Sequence, residues 1–129
     1  MKKAVALLSI CFSLGSTAYG SSREDLKARL RDGLVTVLDV RPEDEFDLGH
    51  LPGALNIPFA TLDAHLATLP KGREIVAYCR GPYCVLSFEA VATLRSRGYR
   101  IRRLEDGYPE WKAAGLPVEA GPSVASTAS

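Results

Sequence analysis

Glu74-Ile75-Val76-Ala77-Tyr78-Cys79-Arg80-Gly81-Pro82-Tyr83-Cys84-Val85 changes character halfway along. Residues 74–78 are apolar and partly β-branched, the pattern of a short buried strand. Residues 85–97 carry Val85, Phe88, Val91, Ala92 and Leu94, broad enough for a largely buried helix that Arg97-Gly98 closes. A cysteine thus ends a strand, and a short loop with Gly and Pro leads from it to a helix N-terminus. Backbone N–H groups and the positive end of a helix dipole converge there. The thiolate is the reactive form of cysteine, and such a setting lowers a thiol pKa. Cys79 is the candidate nucleophile, and Arg80, Gly81, Pro82, Tyr83, Cys84 and Val85 form the candidate substrate-binding loop. Arg80 is expected to contact an anionic substrate oxygen. Gly81 is expected to let the backbone turn its N–H groups inward, and Pro82 to stiffen the loop while removing one donor. Cys84 has three readings: a resolving thiol that forms a disulfide with Cys79, a small residue at a helix start, or a second sulfur-handling group.

Outward from this stretch, strands alternate with helices. Ser21 with Glu24 resembles a capping box opening a helix that Gly33 stops. Residues 34–39 read as a buried strand. Pro42 starts a short helix over 43–48, and 54–57 form a brief strand ending at Pro58. Thr61 is expected to cap a helix over 62–69, with Leu62, Leu66 and Leu69 on one side. Residues 99–104 are the next strand, and 107–115 a short helix stopped by Gly115. This alternation predicts an α/β fold with a mostly parallel central sheet and helices on both faces. Sites in such folds lie at the carboxyl ends of strands, where Asp39, Pro58, Cys79 and Glu105 all fall.

The 129 residues suit one domain, with 47% hydrophobic and 24% charged residues and a net charge of +1. No basic or aromatic-interleaved patch points to nucleic acid; Arg95, Arg97, Arg100, Arg102 and Arg103 read as a solvated face. Residues 1–20 have the layout of a secretory signal peptide: Lys2 and Lys3, an apolar run over 4–14, then Ala18-Tyr19-Gly20 before the cut. The run is too short for a membrane span, so no stable insertion is expected after cleavage. An exported, periplasmic domain over 21–119 with a disordered tail over 120–129 is expected. Loss of Lys2 and Lys3 moves the charge from +1 to −1. Of three cysteines, Cys79 and Cys84 remain after cleavage, and an oxidising compartment makes a disulfide between them conceivable. His50, His65 and these cysteines show no metal-ligand spacing, so neither metal nor cofactor is expected.

Leu38-Asp39-Val40-Arg41 followed by Glu45-Phe46, then Gly49-His50-Leu51-Pro52-Gly53-Ala54, the Tyr78-Cys79 loop, Gly107-Tyr108-Pro109-Glu110-Trp111 and Gly115-Leu116-Pro117-Val118 together resemble the rhodanese (thiosulfate sulfurtransferase-like) family over about residues 22–119. The resemblance implies that Cys79 attacks the outer sulfur of thiosulfate, expels sulfite and becomes a persulfide. A thiol or cyanide then accepts the sulfur. Oriented N–H donors at a helix start suit a persulfide anion. Asp39, Arg41 and His50 are expected to be supporting residues, the first two as an ion pair bracing the strand end and His50 as a turn-fixing donor. Glu45 is expected to accept a hydrogen bond from a turn backbone, and Trp111 to be core. Asp106 stands where many relatives carry a second Gly. Cys84 stands where many single-domain relatives carry a basic residue. Arg80 is then the loop's only cation, so a persulfide or polysulfide donor joins thiosulfate as an expected substrate.

Other readings compete. Cys79 and Cys84 could serve a dithiol–disulfide oxidoreductase, although four intervening residues exceed the two of C-x-x-C. The related C-x5-R phosphatases and arsenate reductases need Arg where this chain has Val85. A non-catalytic binding module of the family usually lacks the loop cysteine that this chain keeps.

Overall fold

A computed structural model describes residues 20–81 and 83–122. The leader expected over 1–20 lies outside the described residues except for Gly20, as does the end of the expected tail. The strands are β1 (Gly20–Ser21), β2 (Val35–Asp39), β3 (Leu55–Asn56), β4 (Glu74–Tyr78) and β5 (Ile101–Leu104). The α-helices are α1 (Arg23–Arg31), α2 (Glu43–Leu48), α3 (Val85–Ser96) and α4 (Tyr108–Ala113), and a 3-10 helix runs over Phe59–Thr68. The five strands pair in the order β1-β5-β4-β2-β3, every pairing parallel. In the register, Val35 faces Glu74, Asp39 faces Tyr78, and Ile75 faces Ile101. β4 is the central strand, and Cys79 is the first residue beyond its carboxyl end.

Strand periodicity divides the core. Leu38, Val40, Ile75, Ala77 and Cys79 face one side, under Leu62 and Leu69 of the 3-10 segment and Ala90, Val91 and Leu94 of α3. Val35, Val37, Val76 and Tyr78 face the other, against Leu26 of α1, Phe46 of α2 and Trp111 of α4. Successive side chains of a strand point to opposite faces, and parallel strands covered on both faces are apolar throughout. The expected α/β architecture is the observed one.

Local details depart from the sequence reading. Ser22, not Ser21, caps α1: its Oγ accepts from Asp25 N at 3.1 Å, while Ser21 Oγ donates to the Asp25 carboxylate. Thr61 does not cap a helix. The 3-10 helix begins at Phe59 behind Pro58, and the Thr61 hydroxyl donates to Pro58 O. α3 buries Ser87, Ala90, Val91 and Leu94, leaving Val85, Phe88 and Ala92 exposed. The basic residues near 95–103 are partly paired: Arg102 binds Glu74, which also holds Arg29, and Arg97 binds Asp63. Beyond Val118, Glu119 exchanges backbone hydrogen bonds with His50 at 2.8 Å each way, and Gly121 N donates to Asp47 O.

Candidate active site

Cys79 is buried, 1% exposed, on the α3 side of the sheet. Its sulfur is joined to that of Cys84 in a disulfide, with Cα atoms 6.2 Å apart. Cys84 is half-buried and occupies the cap position of α3 in an extended conformation (φ −69°, ψ 117°), its backbone N donating to Gly81 O at 3.3 Å. Its sulfur makes no capping hydrogen bond. The first N–H groups of any α-helix lack intrahelical partners and point along the axis, and Cys84 stands at that end of α3. Arg80, Gly81, Tyr83, Cys84, Val85 and Leu86 line an open cleft of about 480 Å³. The expected loop residues therefore converge, Pro82 alone lying outside the described residues. Tyr83 is 90% exposed and Val85 also faces solvent, so the cleft has an apolar rim.

The loop rests on the segment after β5. Tyr108 N donates to Cys79 O at 3.1 Å, and Glu110 Oε1 accepts from Gly107 N at 2.8 Å. Gly107 is buried with its Cα against the Arg80–Gly81 peptide; a Cβ there would lie 2.2 Å from Gly81 N and 2.4 Å from Arg80 C. The sequence marks Gly107 as part of a family motif and the start of a helix, not as a support of the loop. Gly81 does not adopt a positive φ, and a Cβ there would meet only Glu110 Oε1 at 3.9 Å. The close approach that demands glycine belongs to Gly107.

Arg80 pairs with Glu45 of α2 through two hydrogen bonds, Nε to Oε1 at 2.7 Å and a terminal nitrogen to Oε2 at 2.5 Å. Such a fork is the strong form of the Arg–carboxylate contact. The Arg80 hydrogen bond holds the Glu45 carboxyl below its usual range, and the same bond raises Arg80. The expected turn-backbone partner of Glu45 is thus replaced by the loop's cation. The charge expected to face substrate is matched by an anion on the protein.

Asp39 and Arg41 lie on the sheet face opposite Cys79's side chain. Asp39 is fully buried and accepts from Arg41 N at 2.9 Å, from its Nε at 3.0 Å and from a terminal guanidinium nitrogen at 2.7 Å; that nitrogen also donates to Gly49 O at 2.7 Å. The guanidinium sits over the Tyr78 and Tyr108 rings, 5.6 and 4.8 Å from their centroids. Burial pulls the Arg41 pKa down, but Asp39 and Tyr78 together more than offset it, leaving it above its ordinary value. Burial, with the Asp39 charge adding, pushes the Tyr78 phenol far above its usual range, and its oxygen accepts from Leu51 N at 3.0 Å. His50 stacks on Phe46, ring centroids 3.6 Å apart, with Nδ1 2.8 Å from Phe46 O. These contacts brace the strand end and the 49–51 turn. Trp111 is core, its Nε1 donating to Pro117 O. Among the described residues no cluster of His, Cys, Asp and Glu could hold a metal ion.

A sequence profile of the rhodanese-like domain matches residues 22–114. The chain belongs to the rhodanese-like family. A sulfurtransferase of Allochromatium vinosum is 35% identical over 99 residues, covering 75% of this chain and 91% of that protein. An HTH-type transcriptional regulator of Mycobacterium tuberculosis is 50% identical over 111 residues, covering 86% of this chain and 49% of that protein; the chain spans about half the regulator's length. The crystal structure of a Bacillus halodurans protein superposes with a TM-score of 0.77 at 26% identity, covering 89% of this chain and 86% of that one. The rhodanese-like fold places the Cys79 loop at the carboxyl edge of the central strand.

Proposed function

We propose that this rhodanese-like protein is a sulfurtransferase that carries sulfane sulfur on Cys79. With the disulfide reduced, the Cys79 thiolate attacks the outer sulfur of thiosulfate, or of a persulfide. A sulfur–sulfur bond forms to Cys79 as the donor's own breaks, and sulfite or a thiolate leaves. A thiol or cyanide then attacks the outer sulfur of the Cys79 persulfide, takes it, and returns Cys79 as thiolate. This is nucleophilic catalysis with the group held between two steps. The observation that carries the reading is the position of Cys79: it follows the central strand and opens a short loop into the N-terminus of α3, the end at which helix N–H groups lack intrahelical partners.

The Arg80–Glu45 pair supports a broader donor range than thiosulfate. A dianion gains less from a cation already matched by a carboxylate, whereas a persulfide borne on a larger thiol can use the apolar rim at Tyr83 and Val85. The Cys79–Cys84 bond favours a second reading, dithiol–disulfide exchange without sulfur transfer. Export to an oxidising compartment belongs to the same proposal, and cell fractionation tests it.

The deciding experiment is mass spectrometry of reduced protein after exposure to thiosulfate or glutathione persulfide, with Cys79→Ser alongside. Sulfur transfer to a thiol acceptor by the wild type, abolished in a folded Cys79→Ser chain, is expected. Equal transfer by both proteins overturns the assignment. Loss of two hydrogens with no sulfur ever transferred favours the exchange reading.

A further inference from the structure

Cys84 has no place in transfer to an external acceptor, yet it is bonded to the carrier sulfur. We infer that Cys84 discharges the Cys79 persulfide internally, releasing hydrosulfide and making the chain a dithiol-dependent sulfane-sulfur reductase. This rests on the sulfurtransferase reading and adds a reaction to it.

The bond that the step must form is the bond the structure contains. Cys84 sits five residues after Cys79, at the cap of α3, and its sulfur reaches the Cys79 sulfur with no positive-φ residue other than glycine among the described residues. After thiosulfate has loaded Cys79 and sulfite has left, the persulfide's inner sulfur is Cys79 Sγ. The Cys84 sulfur attacks it. The Cys79–Cys84 bond forms, the bond from Cys79 Sγ to the outer sulfur breaks, and that sulfur departs as hydrosulfide carrying the proton of the Cys84 thiol. Two thiol sulfurs are oxidised to a disulfide, and one sulfane sulfur is reduced to sulfide.

Burial sets how the pair is reset. Thiol–disulfide exchange depends on which sulfur an incoming thiolate can approach. Cys79 is 1% exposed, whereas Cys84 is half-buried and lines the open cleft. A dithiol reductant therefore attacks the Cys84 sulfur. Cys79, just beyond the end of β4, leaves as thiolate, in the form that reloads. The second thiol of the reductant then resolves the mixed disulfide, frees Cys84 and leaves the reductant oxidised. One turnover converts thiosulfate and a dithiol into sulfite, hydrosulfide and the oxidised dithiol.

The full chain, reduced with a dithiol and desalted, is mixed with equimolar thiosulfate in the absence of other thiols. The expected wild-type outcome is one sulfite and one hydrosulfide per chain, with a final mass two hydrogens below that of the reduced protein. Cys84→Ser, and independently Cys84→Ala, are expected to stop at the persulfide, with sulfite released, the mass of one sulfur gained and no hydrosulfide. A wild type that keeps the added sulfur and releases no hydrosulfide overturns the inference while leaving sulfur transfer standing. So does hydrosulfide release by the Cys84 variants at the wild-type level. If neither thiosulfate nor glutathione persulfide adds sulfur to a Cys84 variant or discharges through the wild type, both readings fall together.

Discussion

Gly107 and Gly81 meet backbone to backbone: a Cβ on Gly107 would stand 2.2 Å from Gly81 N. Main-chain atoms cannot rotate away as a flexible side chain can. The segment after β5 is thus a template for the loop that holds Cys79, fastened by Tyr108 N on Cys79 O and by Glu110 on Gly107 N. Gly107→Ala is expected to displace the Arg80–Gly81 peptide at a cost of about 1–3 kcal/mol, typical of overpacking. Urea denaturation reads the stability. Sulfur loading of the folded protein should slow as well, whereas Gly81→Ala, with a nearest neighbour at 3.9 Å, should be milder on both counts. Equal behaviour of the two variants removes Gly107's role as template.

Glu45 draws Arg80 into a fork that competes with any anionic substrate. Glu45→Gln keeps the size of the side chain and removes its charge. Thiosulfate KM is expected to fall roughly 2–5-fold, corresponding to ~0.5–1 kcal/mol for a half-exposed pair. The gain should shrink with added salt. KM for a neutral persulfide donor should move less. Steady-state kinetics across ionic strengths check it, and an unchanged or higher thiosulfate KM argues that Arg80 serves the loop alone.

The same pair predicts a direction with pH. The Arg80 hydrogen bond lowers the Glu45 pKa in the folded state, so the unfolded chain binds that proton more readily. The stabilisation is complete above the unfolded carboxyl value of about 4.3. It is lost as pH falls through the depressed folded value. Wild type and Glu45→Gln should differ by less than about 1 kcal/mol at neutral pH, given the exposure of both side chains. The gap should narrow in acid. Denaturation of both proteins from pH 3 to 7 would reveal a gap that widens instead, which is the contrary result.

Strand β4 was legible residue by residue, because a parallel central strand is apolar on both faces and ends abruptly at Cys79-Arg80-Gly81. The phase of α3 was not. Val85, Phe88 and Ala92 form an apolar stripe as plausible as Ala90, Val91 and Leu94, and only the packing of Leu62, Leu69 and Ile101 selects the second. Thr61 resembled a cap, but Pro58 had already turned the chain, so its hydroxyl met Pro58 O. The Arg80–Glu45 and Gly107–Gly81 contacts join segments far apart in sequence, and local pattern holds no trace of them. Cys84 left three readings open because spacing alone does not say whether two sulfurs meet.

Arg41→Ala is expected to be among the most damaging single changes outside the loop. Asp39 is fully buried and Arg41 supplies both its counter-charge and most of its hydrogen bonds. Breaking a buried pair from one side costs about 3–5 kcal/mol, and Gly49 O loses its donor as well. Cys79 points to the opposite face, so whatever fraction remains folded should still gain sulfur from thiosulfate. Urea denaturation together with the intact mass of the loaded protein measures both. Full stability with lost loading would move Arg41 from brace to participant.

Exposure also sets the order in which thiols reach the disulfide. Cys84 borders the open cleft, while Cys79 is buried in the core cluster with residues of the 3-10 segment and α3. Limiting glutathione, quenched in acid after brief reaction with the oxidised protein, is expected to be found bound to Cys84, with Cys79 free. Peptide mapping reads the site directly. Access favours attack on Cys84, and the thiol expelled by that attack is Cys79. It should vanish in urea, where the loop no longer shields Cys79. An adduct chiefly on Cys79 in the folded protein would mean that the loop opens before exchange, and that burial in the resting fold does not govern which sulfur is attacked.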